Sequence, residues 1–241
     1  MSADFAPLIG AVIFELRPDY CAISVVAEGV DNANDQPAAS DYIETLGKRP
    51  PPLWREGHVD AWRMTYRAFG AKPQRTPSSM EALLSRFGKD GRLPMISAIV
   101  DLYNAVSVHY AIPVGGENLD AYVGSPRLVR ADGSELFDTT KDGESFLEPV
   151  PVGEVVWADD RGVTCRRWNW RQGIRTRIDL LTHRMWFVLE RLEPMPIASA
   201  EEAGAVLIQG LRQVSPQATF SAHRIDRTGS TPFPSLCGLR R

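Results

Sequence analysis

Along the first thirty residues the apolar side chains come in two short runs, PLIGAVIFEL at 7–16 and CAISVVAEGV at 21–30, split by the turn-like RPDY. Both are rich in β-branched residues and predict two strands. A polar loop, DNANDQ at 31–36, follows, then PAASDYIETLGK at 37–48, which reads as a short helix closed by Gly47. RPPP at 49–52 breaks the pattern, because proline removes a donor and restrains the residue before it. The period then turns helical. REGHVDAWRMTYRAFG at 55–70 sets Val59, Trp62, Met64, Tyr66 and Phe69 near one stripe. TPSSMEALLSRFG at 76–88 starts a helix at Ser78 or Ser79, with Glu81 in the first turn and Gly88 closing it. LPMISAIVDLYNAVSVHY at 93–110 is apolar throughout and predicts a buried central helix of about five turns. That burial draws attention to its polar positions: Ser97, Asp101, Asn104, Ser107 and His109.

The second half is β-rich. PRLVRA, GEVVWADD, VTCRRWNWR, IRTRIDL and HRMWFVLERL are strand candidates separated by D-G and D-D-R-G turns. SAEEAGAVLIQGLRQVS at 199–215 is an amphipathic helix with its glutamates early and an arginine late. ATFSAHRID at 218–226 predicts a last strand. Helices in the middle with strands on both sides predict an α+β fold, a mixed or antiparallel sheet packed against a central helical layer. The expected organisation is one domain over 1–227 and a mobile C-terminal tail over 228–241, a small, polar, proline-bearing segment.

Composition narrows the function. With 241 residues, 44% hydrophobic and 24% charged, the chain is ordinary for a globular protein. A net charge of −3 argues against a protein that coats nucleic acid, and no DNA partner is expected. It leaves room for a local basic patch built from Arg161, Arg175, Arg177 and Arg184, extended by Arg63, Arg67, Lys72 and Arg75. The three cysteines are scattered, and the four histidines form no H-x-x-x-H or H-E-x-x-H pair. A disulfide framework and a metal site therefore have no support, and no cofactor is expected. The N-terminus lacks a basic region and a cleavage site for secretion, and no apolar run approaches the roughly twenty residues of a membrane span. The expectation is a cytoplasmic protein that does not engage a membrane.

Three stretches carry candidate chemistry. Read as a strand, CRRWNWRQ at 165–172 places Arg166, Trp168 and Trp170 on one face and Cys165, Arg167, Asn169 and Arg171 on the other. The tryptophans are expected to pack in the core. The polar face is the better candidate for a pocket wall, with Asn169 and Arg171 nearest a ligand. In DLYNAVSVHY, Asp101, Asn104 and Ser107 form a polar seam that serves either local hydrogen bonding or a pocket. IPVGGENLDAY reads as a tight loop whose Gly115 and Gly116 allow close backbone approach. Cys165 is a nucleophile only if the fold brings a base to it. No P-loop and no G-x-S-x-G elbow occurs.

Together, PSSMEALLSRFGKDGRLPMISAIVDLYNAVSVHYAIPVGGENLDAYVG, GEVVWAD and CRRWNWRQ resemble the free-standing relatives of the B3/B4 domain of the phenylalanyl-tRNA synthetase beta chain. The resemblance runs from the first strands to the helix near residue 212 and rests on pattern over length. In the synthetase this domain hydrolyses tyrosine wrongly attached to the phenylalanine tRNA. The resemblance implies an α+β fold with a pocket between helix and sheet, and the aminoacyl 3′ end of a tRNA as ligand. Asn104 occupies the position of a family asparagine. Tyr103 stands where the family has threonine, and Gly115 where it has histidine. Those changes remove the basis for tyrosine specificity. Without a protein nucleophile, hydrolysis requires a positioned water and a stabilised oxyanion. Residue type and proximity to the matched motif then suggest the backbone amides of Gly115 and Gly116 as donors to the ester oxygen. On the same grounds Asn104, Asn169 or Arg171 would orient the water or amino group, and Glu117 or Asp120 would hold the α-ammonium. Tyr103, Ser107, Cys165 and Arg167 complete the expected substrate contacts. The leading expectation is an aminoacyl-tRNA deacylase acting in trans. The rival readings are a non-catalytic RNA- or amino-acid-binding module and an unrelated enzyme with a reactive Cys165.

Overall fold

The computed structural model describes residues 5–32, 42–45, 50–93, 95–141 and 143–232. Two sheets and a helical layer stack around two large apolar cores, and a smaller cluster of Ala131, Phe137, Val150, Val156, Ala158 and Val163 belongs to the second sheet. The first sheet has strands β2 (Cys21–Glu28), β3 (Val114–Asn118), β10 (Arg184–Arg191), β11 (Thr219–Asp226) and β12 (Gly229–Pro232). Their order is β12-β11-β2-β10-β3, antiparallel throughout. On one face lie helices α4 (Ala98–Tyr110) and α5 (Ile197–Val214), packed through Leu102, Val106, Leu207 and Leu211 onto Ile23, Val25, Phe187 and Leu189.

The other face carries Ala22, Val26, Trp186 and Val188. Against it pack Ile13 of α1 (Ala11–Leu16), Trp62 and Tyr66 of α2 (Arg55–Ala68), and Met80 of α3 (Ser79–Asp90). The second sheet reaches the same core through Leu128, Val155, Trp157 and Trp168. Its strands are β1 (Leu8–Ile9), β4 (Arg127–Arg130), β5 (Leu136–Lys141), β6 (Glu144–Pro149), β7 (Val155–Ala158), β8 (Val163–Arg166) and β9 (Arg171–Gln172). Their order is β1-β4-β7-β8-β5-β6, with β9 on β8, and the β1–β4 and β5–β8 pairs are parallel. The α+β expectation holds. Because both faces of the first sheet are covered, β2 is buried from Cys21 to Ala27, with Ser24 its one polar side chain in that stretch.

Several elements depart from the sequence reading for identifiable reasons. PLIGAVIFEL yields only Leu8–Ile9 as strand, and the rest becomes α1 with Ile13 alone fully buried. On α2, Met64 lies in solvent, and the buried face is His58, Ala61, Trp62, Thr65 and Tyr66. Helix α3 begins under the Ser78 cap, whose Oγ accepts from the Glu81 N–H at 3.3 Å. It runs through Gly88 and ends at Gly91, which is left-handed with φ 67°. Helix α4 starts at Ala98, later than expected, where Ser97 Oγ accepts from the Val100 N–H.

IPVGGEN is the strand β3 and not a loop. IRTRIDL is irregular, because Arg175 binds Asp159 twice at 2.8 Å and its own N–H donates to Asp138, taking the place of a ladder. The β5–β6 hairpin was not among the expected strands. Of the segment expected as a mobile tail, Gly229–Pro232 forms β12 on β11, and 233–241 lie outside the described residues. Of the helix expected at 37–48, residues 42–45 are helical and the others lie outside the described residues.

Candidate active site

The edge strand β3, helices α3 and α4, and the turn between β8 and β9 enclose a cleft of about 310 Å³. Tyr103, Asn104, Gly115, Gly116, Glu117, Cys165, Asn169 and Arg171 all line it. Three expected site residues lie elsewhere. Ser107 Oγ donates to the Ile112 carbonyl at 2.7 Å and closes the end of α4. Asp120 is exposed and paired with Arg184 at 2.6 Å. Arg167 stacks over the Trp170 ring, 4.3 Å from its centroid, on the outer side of the turn.

The turn corrects the reading of CRRWNWRQ as one strand. Strand β8 stops at Arg166, the chain reverses, and β9 pairs back with Cys165 opposite Gln172 and Arg166 opposite Arg171. Arg167 and Trp168 occupy the left-handed region at φ 47° and 68°, so strict side-chain alternation fails. A buried ion pair holds this backbone: Arg166 Nε and Nη2 donate to the Glu154 carboxylate at 2.7 and 2.8 Å. Glu154 also accepts the Arg167 N–H at 3.1 Å. Trp168 is thereby driven into the core, as expected for it, while Trp170 is half-buried under Arg167.

The glycines of β3 have distinct uses. Backbone groups in an antiparallel ladder point alternately to the partner and away. The Glu190 N–H donates to Pro113 O, so Pro113, Gly115 and Glu117 turn their backbone toward β10. Gly116 O accepts from Gln172 Nε2 at 3.0 Å, and the Asn118 N–H donates to Thr176 O, so Val114, Gly116 and Asn118 face the open edge. Of the two glycine amides expected to serve a ligand, only that of Gly116 points outward. A Cβ on Gly116 would sit 2.9 Å from Tyr103 and 3.0 Å from Phe187, whereas one on Gly115 would meet Val188 at 3.4 Å.

The two asparagines also differ. Asn169 is buried with both ends engaged: Oδ1 accepts from Tyr66 OH at 2.7 Å and Nδ2 donates to Glu190 at 2.9 Å. It fixes Tyr66 and Glu190 relative to each other, and one Nδ2 hydrogen and one Oδ1 lone pair remain. Asn104 lines the cleft from α4, and its amide makes no hydrogen bond among the described residues. The seam it belonged to is otherwise local, since Asp101 accepts from the Ile96 N–H.

Two buried carboxylates line the cleft. Glu117, 4% exposed, accepts from Tyr122 OH at 2.5 Å. Burial pushes its carboxyl up to about 7, against the Tyr122 hydrogen bond. Glu190, 1% exposed, accepts from Trp168 Nε1 at 2.8 Å, Tyr20 OH at 2.9 Å, Trp157 Nε1 at 3.2 Å and Asn169 Nδ2. Burial again pushes it to about 7, opposed by those donors. The sequence reading passed over Glu190, although a lone acid inside the apolar MWFVLE run was its signal. Burial and both carboxylates hold the Cys165 thiol well above its ordinary value, so it stays protonated.

No cluster of metal-ligating side chains occurs among the described residues. Of the expected basic patch, Arg63, Arg175 and Arg184 are ion-paired with Glu81, Asp159 and Glu28. Arg67, Lys72, Arg75, Arg161, Arg171 and Arg177 take part in no ion pair among the described residues.

The B3/4 domain family matches residues 61–209, which contain every residue of this cleft. The chain belongs to that family. Among curated proteins none matches it. Among solved structures it is similar to an N-terminal fragment of the phenylalanyl-tRNA synthetase beta-subunit from Pyrococcus horikoshii, with 11% identity and a TM-score of 0.50. The match covers 96% of this chain but spans only 55% of that fragment. At that identity the likeness concerns the fold. The family match and this likeness agree with the resemblance read from the sequence. No described helix is long and apolar enough to cross a membrane.

Proposed function

We propose that this B3/4 domain hydrolyses the ester of a mischarged aminoacyl-tRNA in trans, taking the aminoacyl 3′ end into the β3 cleft. One observation carries the reading: an uncommitted amide, Asn104, and an outward N–H, Gly116, share a small, largely buried cleft with Glu117. That set meets the needs of ester hydrolysis without a protein nucleophile. Glu117 accepts a proton from water as its oxygen attacks the ester carbonyl carbon. Asn104 Nδ2 and the Gly116 N–H stabilise the oxyanion. The intermediate then collapses with cleavage of the bond to the ribose oxygen. That oxygen takes the proton from Glu117, and free amino acid and tRNA leave. Cys165, held protonated, takes no covalent part. Arg171 at the exposed rim is placed for a phosphate of the tRNA end. The domain family and the synthetase likeness support the tRNA assignment.

Asn104→Ala is expected to lower deacylation at least about tenfold, since a lost oxyanion donor typically costs more than that. It should leave thermal unfolding near wild type, because the amide holds nothing else. Unchanged rates would sink the assignment. Gly115, at the position of the family histidine, favours a second reading, a non-catalytic binding module. That protein would bind charged tRNA saturably without releasing amino acid at sub-stoichiometric concentration.

A further inference from the structure

Glu190 is a buried carboxylate without a counter-ion. Its four partners, Tyr20, Trp157, Trp168 and Asn169, are neutral donors, and none of the ion pairs among the described residues includes it. Four donors converging on two oxygens suit the ionised form, since a protonated oxygen would have to donate in its turn. Buried charges are ordinarily paired, and leaving one unpaired is expensive. The distribution of donors is uneven. Oε1 takes three of them, while Oε2 takes only Asn169. A carboxylate oxygen has room for a further donor there, and the residue lines the cleft. Trp157 and Trp168, whose ring N–H groups fix Glu190, also form cleft wall, and Trp170 stands beside them.

Glu117 cannot fill this role as well as its own. It pairs in register with Trp186, four residues along β10 from Glu190, and both acids stand on the same face of the sheet. At strand spacing that separates their Cα atoms by about 13 Å. The interval accommodates an ammonium at one end and an attacking water at the other, with the ester carbon between them.

Resting on the deacylase reading, we infer that Glu190 is the receptor for the substrate's α-ammonium, so that the cleft accepts esters with a free α-amino group and rejects N-blocked or peptidyl esters. Glu190 completes its charge pairing only when that cation arrives. The assignment expected for Glu117 or Asp120 moves to Glu190, which leaves Glu117 free to act on water.

The test uses the full chain and a panel of aminoacyl-tRNAs, each also supplied N-acetylated. Every rate is divided by the spontaneous hydrolysis rate of the same ester, because acetylation alters the intrinsic rate. For the esters that the wild-type protein hydrolyses, acetylation is expected to lower kcat/KM at least about thirtyfold. Glu190→Gln, checked by thermal unfolding, is expected to narrow that gap to within about threefold by losing activity on the free-amino ester alone. Equal normalised rates on both forms overturn the inference and leave the deacylase standing. A folded Glu190→Gln that keeps the full gap also overturns it. Hydrolysis of neither form overturns both readings. If the variant does not fold, the wild-type comparison decides alone.

Discussion

Asn104 and Asn169 both line one cleft, yet only the Asn104 amide is without a hydrogen bond among the described residues. Asn169 is held between Tyr66 and Glu190, and it fixes the direction of Glu190. The neighbouring glycines permit a cleaner separation of stability from function. Gly116→Ala drives a methyl against Tyr103 and Phe187, and overpacking of this kind costs about 1–3 kcal/mol. Gly115→Ala meets Val188 only at ordinary contact distance, on the cleft face. Urea unfolding should therefore show Gly116→Ala clearly weakened and Gly115→Ala near wild type, while deacylation falls in both. A Gly115→Ala protein of full activity would remove that wall from the site. The pH dependence has a definite sign. Glu117 is raised to about 7, so below that it holds its proton and cannot act as base. A plot of kcat/KM is expected to climb through pH of about 7 to a plateau, and Glu117→Gln to be low across the whole range. Residue types and short spacing were enough to single out most of this cleft from the sequence. Side-chain commitments were not legible there, because Asn169's partners lie 103 and 21 positions away.

At the level of elements, the β8–β9 turn does most to shape the site. Its two left-handed residues persist because Arg166, Glu154 and Glu148 lock the backbone from behind. Arg166→Ala would leave Glu154 buried without its main partner, a loss of about 3–5 kcal/mol. Chemical denaturation should register that loss, and the cleft, whose wall the turn provides, should lose activity with it. A variant as stable as wild type would mean that the ion pair does not hold the turn. The same element explains the largest misreading of the sequence. CRRWNWRQ has the composition of a strand, and nothing in its eight residues reports that Glu148 and Glu154 arrive from another part of the chain. IPVGGEN failed in the opposite direction, since paired glycines signal a turn until a neighbouring strand supplies a ladder. The long elements with a clear apolar period, α2, α4, α5 and β10, were legible, their ends less so.

Across the whole molecule, two sheets and a helical layer present the cleft at the edge strand β3, where no further strand competes for the backbone of Gly116. The charge of the molecule bears on how it meets RNA. Several arginines of the expected patch are neutralised in ion pairs, and the net charge is −3. Binding of a tRNA is therefore expected to be weak and to rest on few phosphate contacts. A plot of log affinity against log salt should have a shallow slope, about −0.7 to −0.9 per contact. A steep slope would point to a basic surface that the ion pairs conceal. That distribution was hidden in the sequence, because composition counts charges and the fold decides which of them cancel.

The central claim is turnover of an aminoacyl ester in the β3 cleft. Its most direct test is a deacylation panel, with the purified full chain held below the concentration of correctly and wrongly charged tRNAs. The expected result is selective, multiple-turnover release of amino acid from one mischarged class, lost in Asn104→Ala. Saturable binding with no release across the panel by a folded protein would contradict it and identify the cleft as a binding site alone.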